Sequence, residues 1–155
     1  MTAATSAGAA SSAEPPHADL TPGDLVGTWR LESYLTVGPD GATAEGPLGP
    51  APAGLLLYGA DHRMSVSMMR TDDAEPGAEP RAGTRFMGYA GGWRLAGRQV
   101  VHTVAVSSHS YLLGTRQVRD CVLDDEVLTL TGSARTADGV RRGVLTWRRA
   151  DGEPR

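Results

Sequence analysis

No lysine occurs anywhere in this chain: its fifteen basic residues are all arginine, set against eighteen acidic ones for a net charge of −3. The arginines stand singly or in pairs, so no basic stripe exists to follow a phosphate backbone, and nucleic acid is not expected as a partner. Cysteine is nearly as scarce. The single Cys121 cannot close an internal disulfide, which fits a reducing, cytoplasmic setting and argues against a stapled secreted scaffold. Its expected place is a small buried apolar position. No apolar run approaches the roughly 18 residues of a membrane span, so no membrane partner is expected. Residues 1–20, rich in Ala, Ser, Thr, Gly and Pro, lack the basic start and apolar stretch of a signal peptide. They offer too little apolar surface to offset ordering entropy and are expected to form a disordered tail.

Several chemistries are missing as well. His17 falls in that tail, His62 in a tight turn and His109 in a loop, so no two histidines share a metal-ligand spacing and no metal is expected. Asp72-Asp73 and Asp124-Asp125-Glu126 sit in loops or turns, and no inward position carries a carboxylate, which leaves catalysis by paired acids unsupported. Gly88-Tyr89-Ala90-Gly91-Gly92 is glycine-rich, but a strand follows it and not a helix, so it cannot cradle phosphate. Ser107-Ser108-His109 lacks a nucleophile elbow and a placed acid. No redox or other cofactor is expected.

What the chain does have is a period of two. Eight alternating segments, at about 25–36, 53–58, 63–70, 85–95, 99–107, 115–123, 127–132 and 143–149, are separated by Gly, Pro, Asp and Ser clusters. They predict one all-β domain over 21–150, with a helical turn within 20–26 capped by Thr21 ahead of Pro22. The connections alternate in length: 37–52, 71–84 and 133–142 are long, and 59–62, 96–98 and 124–126 are short. In an eight-stranded up-and-down antiparallel barrel, that alternation puts the tight turns at a closed floor and the long loops around a mouth. Trp29, opening the first strand, and Trp147, near the end of the last, then meet at the floor as core.

The stretches Leu25-Val26-Gly27-Thr28-Trp29-Arg30-Leu31, Gly54-Leu55-Leu56-Leu57-Tyr58, Arg63-Met64-Ser65-Val66-Ser67-Met68-Met69-Arg70 and Gly88-Tyr89-Ala90-Gly91-Gly92-Trp93, with Gly114-Thr115-Arg116-Gln117-Val118-Arg119 and Leu145-Thr146-Trp147, carry a resemblance. In order and spacing they resemble the lipocalin-like domains of bacteria and fungi, over residues 24–149. Some small barrels similar to these occur in polyketide biosynthesis, where they fold a linear or macrocyclic polyene and promote cyclisation, including [4+2] cycloaddition. The resemblance therefore implies a lipocalin-like barrel and admits a cofactor-independent cyclase of secondary metabolism, although fold alone does not set function.

Alternation also assigns a lining. Trp29, Leu31, Ser33 and Leu35 are expected to face in, with Tyr34 facing out; so are Met64, Val66 and Met68, then Met87, Tyr89 and Trp93, then Val100, His102, Val104 and Val106. The segment 115–123 is open between Val118/Val122 and Gln117/Arg119/Cys121 facing in. Arg119 is expected outward or ion-paired, because an inward arginine without a counter-charge is costly. The expected substrate-binding set is Ser33, Leu35, Met64, Val66, Met68, Met87, Trp93, Val104, Gln117 and Arg119, with Tyr89 and His102 as the catalytic pair. This lumen suits an apolar small molecule held by a few hydrogen bonds. A cycloaddition needs the reacting termini held close and aligned, which is worth up to roughly 7–11 kcal/mol, and Tyr89 or His102 would orient a carbonyl. A non-catalytic carrier or sensor of an apolar metabolite needs the same lumen; an assembly subunit would fill it with its own side chains. A homodimer or other small homo-oligomer is expected.

Overall fold

In the computed structural model, residues 19–72 and 84–150 are described. The expected tail up to residue 18 and the Pro76 and Pro80 portion of the connection 71–84 lie outside the described residues.

One helical turn, α1 (Pro22–Leu25), leads into the sheet. The backbone N–H and hydroxyl of Thr21 both donate to the Asp24 carboxylate, at 2.8 and 3.1 Å, which holds that carboxyl below its ordinary range. Proline in the first turn loses no hydrogen bond there and presets φ. The strands are β1 (Gly27–Val37), β2 (Thr43–Glu45), β3 (Ala53–Tyr58), β4 (Arg63–Met69), β5 (Phe86–Ala96), β6 (Gln99–Ser107), β7 (Arg116–Asp124), β8 (Val127–Thr136) and β9 (Gly139–Arg149). From β3 to β9 each strand pairs antiparallel with its sequence neighbour, and β1 pairs with both β3 and β9. Eight strands thus close into a barrel. Closure satisfies the edges that an open sheet would expose. The short β2 lies outside the ring, on the upper part of β1, where Leu35–Val37 have already left β3.

Tight turns at 59–62, 97–98 and 125–126 lie at one end, with His62, Gly97 and Asp125 in the left-handed conformation such turns require. Long connections lie at the other, with one exception. The expected loop 133–142 is instead a hairpin: Ser133–Thr136 pair with Gly139–Arg142 across a two-residue turn. Those residues are mostly exposed, so ladder hydrogen bonding outruns the core and no apolar alternation marks it.

Two β-bulges reset which side chains face in. In β1, Leu31 pairs with Trp147 and Ser33 with Thr146, so Glu32 is the extra residue. Beyond it Tyr34 lies opposite inward-facing Leu145, while Ser33 and Leu35 turn outward. In β6, Ala105 is extra: Gly91 pairs with Val104 and Ala90 with Val106. Val106 is therefore outside and 60% exposed, not in the lumen. A Cβ on Gly91 would lie 1.9 Å from the Thr103 carbonyl oxygen, so this bulge admits only glycine there.

The floor is sealed around Trp29, whose indole N–H donates to the Leu25 carbonyl at 2.9 Å. Arg149 lies over the Trp29 ring at 4.2 Å and donates to the Asp24 and Val26 carbonyls at 2.7 and 3.1 Å. Leu25, Leu128, Val100 and Leu56 complete a fully buried layer.

Candidate functional site

His102 is 2% exposed, at mid-strand in β6 between inward Val100 and Val104. A ring this deep needs a partner at each nitrogen. Tyr58 of β3 supplies one, its hydroxyl 2.6 Å from Nε2, and Tyr89 of β5 the other, 2.6 Å from Nδ1. Trp93, paired with His102 across β5 and β6, packs its ring 4.6 Å from that of Tyr58 and donates its N–H to the Gly59 carbonyl at 2.9 Å. The chain of three is therefore fixed from below.

Its proton order follows from burial. Desolvation, followed by the nearby Arg119 charge, drives the His102 pKa down to about 3, so the imidazole is neutral near pH 7 and carries one N–H. Burial raises the Tyr58 hydroxyl well above its ordinary pKa and the Tyr89 hydroxyl to about 12, so both stay protonated. Tyr58 has no other hydrogen-bond partner among the described residues. A buried O–H left without an acceptor costs about 1–3 kcal/mol, so Tyr58 donates to Nε2. Nδ1–H then donates to the Tyr89 oxygen, and the Tyr89 proton remains free. Aligned donors polarise one another, so Tyr89 is the donor end of the chain.

Tyr89 and His102 line a chamber of about 60 Å³, together with Val66, Met68, Met87 and Arg119. That is room for about two waters at roughly 30 Å³ each, so most of the interior is filled by the protein's own side chains. Trp147 also lines the chamber, and its buried indole N–H has no partner among the described residues. Above lies a wider vestibule of about 270 Å³, lined by Thr36, Gln117, Gly132 and Arg141 among others. Tyr34, Arg119 and Leu145 belong to both spaces and form the neck between them. A larger cleft of about 440 Å³ opens on the flank, where β1 parts from β3 beyond the Arg30–Leu55 pair. It shares only Met68 with the chamber. Ligand sites combine an apolar lining with a few convergent polar groups, and these converge in the lumen, not on the flank.

Of the predicted site residues, Tyr89, His102, Val66, Met68, Met87 and Arg119 come together at the chamber, and Gln117 joins Arg119 in the vestibule. Met64, Trp93 and Val104 are buried in the packing and line none of these cavities. Ser33 and Leu35 are turned out by the Glu32 bulge, Leu35 being 38% exposed. The register of β7 resolves the open facing: Gln117 and Arg119 point in and Cys121 is buried, while Val118 and Val122 are exposed. Burial lifts the Cys121 thiol to about 11, making it an inert core group. Arg119 departs from expectation, facing in without an acidic partner among the described residues. Two contributors were not foreseen. Tyr34 escapes alternation because of the bulge, and Tyr58 follows three leucines that carry no polar alternation to reveal its facing.

Among the described residues no three or more His, Cys, Asp or Glu are grouped to hold a metal ion, and no helix there is long and apolar enough to cross a membrane. A family model described as a lipocalin-like domain matches residues 26–150. No curated protein and no solved structure matches the chain.

Proposed function

This chain belongs to the lipocalin-like domain family, and from that premise we propose that its barrel receives a small apolar metabolite whose carbonyl oxygen accepts the free Tyr89 proton, and promotes a cofactor-free cyclisation of it. Small-molecule binding follows from the family's barrel; the carbonyl and the cyclisation are our reading. The observation that carries it is the Tyr58–His102–Tyr89 chain, which leaves one polarised donor at the apolar chamber.

In a [4+2] closure two σ bonds form at the expense of two π bonds and no proton moves. The protein's part is to hold the reacting ends together and draw electron density toward the conjugated carbonyl. One well-placed donor in a water-poor site is worth roughly 3–4 kcal/mol of barrier. Tyr89 is the catalytic residue in this scheme. Tyr58 and His102 are positioning residues that set the direction of the Tyr89 proton. Met68 and Met87 mould the apolar side. A polyketide of linear or macrocyclic polyene type fits these requirements.

A second reading is a carrier or sensor, which binds the metabolite without having to fold it around Tyr89. The chamber of about 60 Å³ admits a carbonyl but not a folded polyene, whose body would rest in the vestibule. Deletion of the gene followed by metabolite profiling separates the two. The cyclase reading expects an uncyclised precursor to accumulate and the purified protein to convert it, with Tyr89→Phe slowing conversion about a hundredfold. Unchanged metabolites, with tight reversible binding of a host compound, establish the carrier instead.

A further inference from the structure

Among the described residues three arginines are partly buried: Arg70, Arg119 and Arg149. Arg70 is held by Asp72 in a two-point ion pair at 2.8 and 3.1 Å, and Arg149 reaches Glu126 at 3.7 Å. Arg119 alone of the three has no carboxylate partner among the described residues. It lies in the neck between vestibule and chamber.

The guanidinium is nevertheless held in place. It donates to the Val118 carbonyl at 3.0 Å and to the Gln117 side-chain oxygen at 3.1 Å; Gln117 in turn donates to Thr115 at 2.8 Å, and Thr115 to the Leu112 carbonyl at 2.6 Å. Neutral oxygens solvate a cation without neutralising it. Opposite, a Cβ on Gly132 would come within 2.9 Å of the guanidinium carbon, so glycine makes room for the group. Arg141 and Arg142 line the same vestibule, and among the described residues the only acid joined to them is Asp138, a loose 3.7 Å from Arg141. The Tyr34 hydroxyl, which makes no hydrogen bond among the described residues, shares the neck.

We infer that the vestibule is a receptor for a carboxylate, with Arg119 as its anchor, and that the ligand class of this barrel is the apolar carboxylic acid. A planar guanidinium oriented by two fixed hydrogen bonds presents its remaining N–H groups to both oxygens of a carboxylate. The anion replaces the missing counter-charge, while the apolar body lies in the vestibule against Leu145 and Ala134. The inference rests on the preceding reading for the carbonyl at Tyr89, and stands apart from it for the head group.

Calorimetric titration of the full chain with octanoate and with octanamide, the same chain bearing a neutral head, tests it. Wild type binds octanoate at least tenfold more tightly than octanamide. Arg119→Gln weakens octanoate at least tenfold and octanamide less than threefold, and Arg119→Lys recovers part of the octanoate affinity. Gly132→Ala, which leaves Arg119 present but displaced, weakens octanoate several-fold and spares octanamide, so the inference does not hang on the folding of one variant. Equal affinity for the two compounds, failure of octanoate to bind, or parallel loss of both in Arg119→Gln overturns it. Tyr89→Phe serves the other reading through conversion of the precursor: if it leaves conversion unchanged while Arg119→Gln discriminates between octanoate and octanamide, the carbonyl donor fails and the carboxylate receptor stands.

Discussion

Trp29 at the floor and Trp147 below the chamber are equally hidden, at 0% and 1% exposure, and their indoles are treated oppositely. Trp29 donates to Leu25 and lies under Arg149, itself tied to two carbonyls and to Glu126. Trp147 has a buried N–H without an acceptor among the described residues, and Arg119, at the neck above, has a guanidinium without an acid. The closed end is completed by the chain itself. The open end holds polar groups that no described residue satisfies, and such groups are costly to keep unless they have a use.

The contrast can be broken in several ways. Trp29→Ala should cost the most, about 3–5 kcal/mol of stability by urea unfolding, because it opens the floor. Trp147→Phe, which deletes an unpartnered N–H and keeps most of the volume, should cost under about 1.5 kcal/mol; equal losses for the two would erase the distinction. Acid should act through His102. Its folded pKa is depressed from 6.5 to about 3, so the unfolded state takes up a proton that the folded state refuses. The stability is present above pH 6.5 and falls through that window toward pH 3 at about 1.4 kcal/mol per pH unit. Urea midpoints measured from pH 7 to pH 4 should show this slope, and His102→Gln should flatten it. Tyr58→Phe removes the donor to Nε2 and should cost about 1–3 kcal/mol; a neutral result would contradict the proton order assigned to the chain. The smallest effects are expected at Ser33→Ala and Leu35→Ala, which should change octanoate affinity less than threefold, whereas Tyr34→Phe lowers it measurably.

How much of this could be read in the residues differs between the two ends. Gly27-x-Trp29 and the short turns mark the floor, because large apolar side chains and turn-forming residues both leave a trace in sequence. His102, Met68, Met87 and Tyr89 are legible too, lying on regular stretches of strand where a period of two holds. Ser33, Leu35 and Val106 are misread for one reason: Glu32 and Ala105 each add a residue to one strand of a pair, and a bulge has no compositional signature when the extra residue is ordinary. Tyr58 is hidden by Leu55-Leu56-Leu57, where both faces look alike. For Arg119 the energetic premise holds, since an inward charge is costly; the missing knowledge was that Gln117, two residues away, supports it and that Gly132, on the neighbouring strand, gives it space.

The Glu32 bulge makes ligand preference depend on counting. Flattening the bulge with Glu32 retained, so that Glu32 pairs with Thr146 and every later residue slides by one, would carry Ser33 and Leu35 into the neck in place of Tyr34 and Thr36. A phenol-bearing, cation-flanked opening would become an aliphatic one without a single substitution. In a family built on this barrel, slips in the register of the first strand would then switch specificity in steps, whereas point changes would only grade it.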